Sequence, residues 1–109
     1  MLEPVFGSVV VEKILFYLLV YKTGYMRGIA NLFNIPFGTM VNQLERLENG
    51  SVIVSKKEGT IRIYSLNPRY PFIKELEALL QRAKDTLSEE EIEKYYRKRT
   101  RPRRKGKLW

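Results

Sequence analysis

The chain has 109 residues, an ordinary apolar content of 44%, and a formal net charge of +8. That size bounds it to one domain, two at most, with a real but small core, and the apolar fraction argues against global disorder. It contains neither cysteine nor histidine, which removes disulfides, the usual ligands of zinc, copper and iron–sulfur sites, and histidine or cysteine catalysis.

The N-terminal "MLEPVFGS" lacks the basic opening of a signal peptide. The longest apolar run, "ILFYLLVY", is far short of the ~20 residues that span a bilayer. A soluble protein of the reducing cytoplasm is expected, with no membrane partner. The charge is unevenly placed. Residues 1–93 carry 11 Lys and Arg against 12 Asp and Glu, whereas 94–109 carry nine basic residues and no acid. A basic tail on a near-neutral body points to an acidic polymer as partner.

In chain order, "SVVVEKILFYLLVY" (8–21) predicts a core helix capped by Ser8, with Val11, Ile14, Leu15, Leu18 and Leu19 at helical spacing. "KTGY" breaks that pattern. "MRGIANLFN" predicts a short second helix with Ile29, Leu32 and Phe33 inward, closed by Asn34. Pro36 suits the first turn of a third helix, which turns Met40, Leu44 and Leu47 inward and stops at Gly50. "SVIVSK" and "TIRIYSL" flank "KEG", so a two-stranded hairpin turning at Gly59 is expected.

After the rigid "NPRYP", a helix over 72–87 bears one stripe of Phe72, Leu76, Leu79, Leu80, Ala83 and Leu87. The stripe can serve as intramolecular core, as a two-fold dimer contact, or as both; because the trihelical unit and hairpin before it are already compact, the dimer contact is expected. Ser88 and Glu91 have capping-box spacing and open a C-terminal helix over 88–100. A charge-dense tail over 101–109 follows. Tyr95 and Tyr96, interleaved with Lys and Arg, can either stack on bases or pack back on their own domain.

Two short helices joined by a tight turn and followed by a hairpin are the plan of a winged helix-turn-helix, an α+β fold that is mostly helical. The stretch "IANLFNIPFGTMVNQLERLENGSVIVSKKEGTIRIYSLNP" resembles the ArsR/MarR-type winged-helix regulators. Ile29, Ala30 and Leu32 match the second-helix pattern of that family, and Gly38, Thr39, Met40, Leu44 and Leu47 match the third. "EGTIRIYSLNP" is similar to its wing. The resemblance runs over roughly residues 8–87, with the dimerisation helix at 72–87.

That resemblance implies a dimeric, double-stranded-DNA-binding transcriptional regulator. Carried over by position, Phe37, Gly38, Thr39, Val41, Asn42, Gln43 and Arg46 would lie on the recognition helix toward DNA. Lys56, Lys57 and Arg62 would flank the wing tip, and Arg27 would meet phosphate. Asn42 and Gln43 have the amide chemistry to read adenine, and Arg46 can reach guanine or phosphate. The tail residues Arg97, Lys98, Arg99, Arg101, Arg103 and Arg104 would form a phosphate-binding arm.

Members that sense metals use cysteine or histidine ligands, and this chain has none, so no cofactor is expected; any effector ligand is left open. Ser8, Ser51, Ser55, Ser65 and Ser88 have no histidine to activate them, and no phosphate-cradling glycine loop is present. An enzyme is therefore not expected. The competing reading is a winged-helix-shaped protein-interaction module. It would dock through Phe37 and Val41, and its tail would bind RNA or another acidic partner.

Overall fold

The computed structural model describes residues 1–96. The first element is one that the sequence pattern did not suggest, a single turn α1 (Glu3–Phe6). Pro4 sits in its first turn, and Gly7 ends it at φ 77°, the left-handed conformation that glycine adopts without cost. Then comes the central helix α2 (Val9–Tyr21). The Ser8 hydroxyl accepts the Val11 N–H at 3.3 Å and so fills the N-cap. Val11, Ile14, Leu15, Phe16 and Leu18 are buried, so this helix is wrapped on most sides.

"KTGY" is more than a break. Thr23–Tyr25 forms a strand, β1, that leads directly into α3 (Met26–Phe33). Gly24 is buried, and a Cβ there would lie 2.6 Å from the Tyr17 ring and 3.2 Å from Ile29. Only glycine lets the strand lie this close to α2. Asn34 closes α3 in the left-handed conformation expected of it (φ 56°, ψ 47°). Pro36 then caps α4 (Phe37–Asn49) from just outside. Ile29, Ala30 and Phe33 of α3 and Met40, Leu44 and Leu47 of α4 fill the same core as α2.

α4 ends where expected, with Gly50 as its C-cap, and the left-handed turn follows one residue later. Gly50 has φ −85°, and the left-handed residue is Ser51, at φ 65°. The Ser51 N–H donates to the Glu48 carbonyl and the Val52 N–H to the Leu47 carbonyl, both at 3.0 Å. This is a Schellman ending, which satisfies carbonyls that the helix leaves open.

β2 (Ile53–Glu58) and β3 (Ile61–Leu66) make the expected hairpin, with Gly59 (φ 65°) first in its two-residue turn. The sheet has three strands, not two. β1 pairs antiparallel with the free side of β3, giving the order β1-β3-β2. Asn67 fastens the wing's base. Its side-chain N–H donates to the Ser51 carbonyl at 2.9 Å, and its side-chain oxygen accepts the Arg69 N–H at 3.0 Å.

α5 (Ile73–Asp85) packs on α2 through Leu80 and Ala83. Ser88 caps a last helical segment, α6 (Glu89–Glu91), by accepting the Glu91 N–H at 3.2 Å. That segment widens into π turns over Ile92–Tyr96 and lies on α2. The architecture is a winged helix, mostly helical with a small antiparallel sheet. No helix among the described residues is long and apolar enough to cross a membrane.

Candidate nucleic-acid interface

Met40, Leu44 and Leu47 turn one side of α4 into the core. At 100° per residue the opposite side is Gly38, Asn42, Glu45, Arg46 and Asn49. All five are exposed, and a Cβ added at Gly38 would meet nothing within 4 Å. No part of the described chain covers this face at Gly38. Thr39 and Val41 are half-buried on its two margins, and Phe37, at the helix start, is 55% exposed.

Gln43 does not belong with Asn42. It is half-buried beside the inward seam, and its side-chain oxygen is out of contact with solvent and finds no donor. With Met40, Leu44 and Leu47 inward, the 100° step from Asn42 carries Gln43 off the open face to the edge of the seam. Asn42 and Arg46, four apart, do share one outward stripe. Glu45 and Asn49, which the sequence pattern did not single out, extend the stripe.

Two features flank this face. On one side a cleft of about 300 Å³ opens between α1, α2 and the start of α5. Phe6, Val11, Leu15, Leu47 and Leu76 line it, and Arg46 is the charged residue of its wall. On the other side stands the wing. Glu48 near the end of α4 accepts a 2.6 Å hydrogen bond from the Ser55 hydroxyl of β2. Ser55 in turn accepts one of 2.9 Å from the guanidinium of Arg62 on β3. Helix and wing are thus joined by a three-residue relay that holds Arg62. Beneath it Tyr64 is buried, and burial raises the phenol above its ordinary pKa. Glu48 and, more weakly, Glu45 add to the shift, while Arg62 opposes it. Glu45 therefore lies within electrostatic reach of the wing.

Strand alternation splits the expected basic wing. Lys57 stands directly opposite Arg62, on the sheet face that also carries Ser55 and Tyr64. Like charges in register repel, and an anion between them would relieve this. Lys56 points to the outer face, where it makes an exposed 4.0 Å pair with Glu58. That outer face also carries open apolar side chains: Tyr25 is 51% exposed, Ile61 48% and Val54 38%. Arg27 is exposed in the first turn of α3.

The α5 stripe divides as well. Leu80 and Ala83 are buried in the chain's own core, and Leu76 and Leu87 pack half-buried against it. For Leu80 and Ala83 the expected role as contact surface is corrected, because α2 already covers them. Phe72, 62% exposed, and Leu79, 39% exposed, remain open.

Tyr95 and Tyr96 pack back on their own domain. The Tyr96 ring lies 5.5 Å from Phe16 and 5.9 Å from Phe33, and Tyr95 lies 5.0 Å from Phe33. The Tyr21 hydroxyl donates to the Tyr95 carbonyl at 2.6 Å. The Lys13 ammonium sits over the Phe33 and Tyr95 rings. Burial, then the nearby carboxylates of Glu12 and Glu91, push the Tyr96 phenol well above its ordinary pKa. The expected arm residues Arg97, Lys98, Arg99, Arg101, Arg103 and Arg104 lie outside the described residues.

No family model matches the chain, and no curated protein is significantly similar to it. Solved structures do resemble it. A form of Lactococcus lactis ZitR with one cysteine and one histidine replaced by alanine superposes with a TM-score of 0.53 at 22% identity. The match covers 79% of this chain and 66% of that one. The apo form of the same mutant gives 0.50 at 17% identity, covering 84% and 78%. The adhesin competence repressor AdcR of Streptococcus pyogenes gives 0.53 at 16%, covering 79% and 72%. The chain spans just under two thirds of the first ZitR structure. At these identities the likeness establishes the winged-helix fold.

Proposed function

We propose that the protein is a homodimeric, sequence-specific double-stranded-DNA-binding regulator of transcription that works in the cytoplasm and needs no cofactor. α4 enters the major groove. Asn42 and Arg46 meet base edges there, with Phe37, Gly38, Thr39 and Val41 close to the groove walls. Arg27, Lys57, Arg62 and the basic tail meet phosphates and supply most of the affinity. The observation that carries this reading is the open polar face of α4, tied through Glu48 and Ser55 to a wing arginine. The name of AdcR, a repressor of the same fold, supports the regulatory role. Phe72 and Leu79, open on α5, support a two-fold contact between copies.

The test is a salt titration of binding to random-sequence duplex DNA, comparing the full chain with one lacking residues 97–109. That deletion removes eight basic residues. If half of them neutralise phosphates, the slope of log affinity on log salt flattens by roughly 3–4 units, while the preferred site stays the same. Failure of the full chain to bind duplex DNA at low salt overturns the proposal. A protein-interaction module is then favoured, on the strength of exposed Phe37 and the open apolar side chains of Tyr25, Val54 and Ile61 on the sheet.

A further inference from the structure

The open face of α4 carries one group that a polyanion should repel. Glu45 is exposed between Asn42 and Asn49, at i+3 and i−4 on the same stripe. The helix's other carboxylate on the wing side, Glu48, is engaged by Ser55. Glu45 has no hydrogen bond and no ion pair among the described residues. A carboxylate can only accept hydrogen bonds. In a major groove walled by phosphates, it is repelled unless it meets a base-edge donor. Cytosine N4 is the donor that carboxylates pair with, whereas adenine is read by amides.

We infer that Glu45 selects a C·G pair, accepting a hydrogen bond from the cytosine 4-amino group at one position of the site. The inference rests on the DNA-binding proposal and deepens it. Asn42, one turn toward the N-terminus, reads a neighbouring pair and Arg46 a purine or phosphate beside it, so Glu45 lies within the reading stripe. Its carboxylate works against total affinity and for discrimination. Removing it therefore moves the two quantities in opposite directions, and a residue that is merely solvated would not do that.

The experiment is selection from a random duplex pool with the wild-type chain, Glu45→Gln and Glu45→Ala, followed by titration of the best site and of non-specific duplex. Glu45 makes no contact on which the fold depends, and thermal melts check that both variants stay folded. The wild type should recover a site with one fixed C·G pair. Glu45→Gln should shift that position toward A·T, because an amide pairs with adenine. Glu45→Ala should lose discrimination there by about tenfold. Both should bind non-specific duplex roughly threefold tighter, the effect of removing one charge ~7 Å from a phosphate in high dielectric. The same preferred base at every position in all three proteins overturns the inference and leaves the DNA reading intact, with Glu45 then acting only on the charge balance around Arg62. A wild type that binds duplex without any motif also overturns it. A wild type that binds no duplex removes the DNA reading itself.

Discussion

Two regions of the helical body present opposite solutions to similar sequence. Over α2 and α3, Tyr95 and Tyr96 stand in a stretch that turns basic, yet their rings close onto Phe16 and Phe33 and bury them. Over α4, Asn42, Glu45, Arg46 and Asn49 stand outward and are exposed among the described residues. Aromatic and basic residues together suggest a nucleic-acid surface, but the aromatic side is the one already filled. The side left open is polar, nearly charge-balanced, and braced by the wing. An interface that must exchange partners cannot first be saturated by its own chain, so the uncovered face is the better candidate.

The sharpest break of that comparison uses two adjacent leucines on α5. Leu80 is 0% exposed and Leu79 39%. Leu80→Glu should cost roughly 4 kcal/mol or more, since it leaves a carboxylate buried without a partner, and should abolish the cooperative melt. Leu79→Glu should keep the fold and shift light scattering from dimer to monomer.

The aromatic roof comes next. Tyr96→Ala should cost about 3 kcal/mol in urea denaturation, by loss of a buried ring. Tyr96→Phe keeps the ring and isolates the phenol. Because the Tyr96 phenol titrates above its ordinary value in the folded chain, the unfolded state loses that proton first. Wild-type stability should be complete below about pH 10 and decline as pH rises past it. The variant should decline less between pH 8 and 11, which paired urea melts would measure.

Smaller effects test the open side. Ser55→Ala removes the link between Glu48 and Arg62 and should cost about 1 kcal/mol. It should also weaken duplex binding without moving the preferred site, because a phosphate contact is what it loosens. Smallest is Ser51→Gly. The residue holds φ 65°, so relieving its strained Cβ should stabilise the chain by roughly 0.5–1 kcal/mol. Gly50→Ala, at φ −85° with ordinary contacts around the new Cβ, should change little. A thermal shift assay ranks the two.

The long elements were legible from the residues because period alone defines them. The seams Val11–Leu18 and Met40–Leu47 repeat at helical spacing, and Gly59 marks the hairpin. The misses have physical causes. β1 is three residues long, too short for any period to show, and its strand character depends on the long-range partners Ser65, Tyr64 and Ile63. Gly50 caps α4 as expected, and the hydrogen bonds of the helix end put the left-handed conformation at the next residue, Ser51. Pairing Asn42 with Gln43, or Lys56 with Lys57, treated neighbours in sequence as neighbours in space. The helical 100° step and the strand's alternation already contradicted both. Glu45 follows from the same geometry, since three 100° steps from Asn42 keep it on the open face of α4.

The third strand bears on how the chain folds. Thr23 pairs with Ser65, so the segment holding α3, α4 and the hairpin is closed at its base like a drawstring. The helical turns and the β2–β3 ladder are local and can form in microseconds, whereas closing a loop of about forty residues is slower and comes late. Until it closes, α3 has no fixed start and β3 has one open edge. Amide hydrogen exchange along β1 should therefore track that of α3 and β3 as one cooperative unit, slow together when the drawstring is tied and fast together when it is loosened.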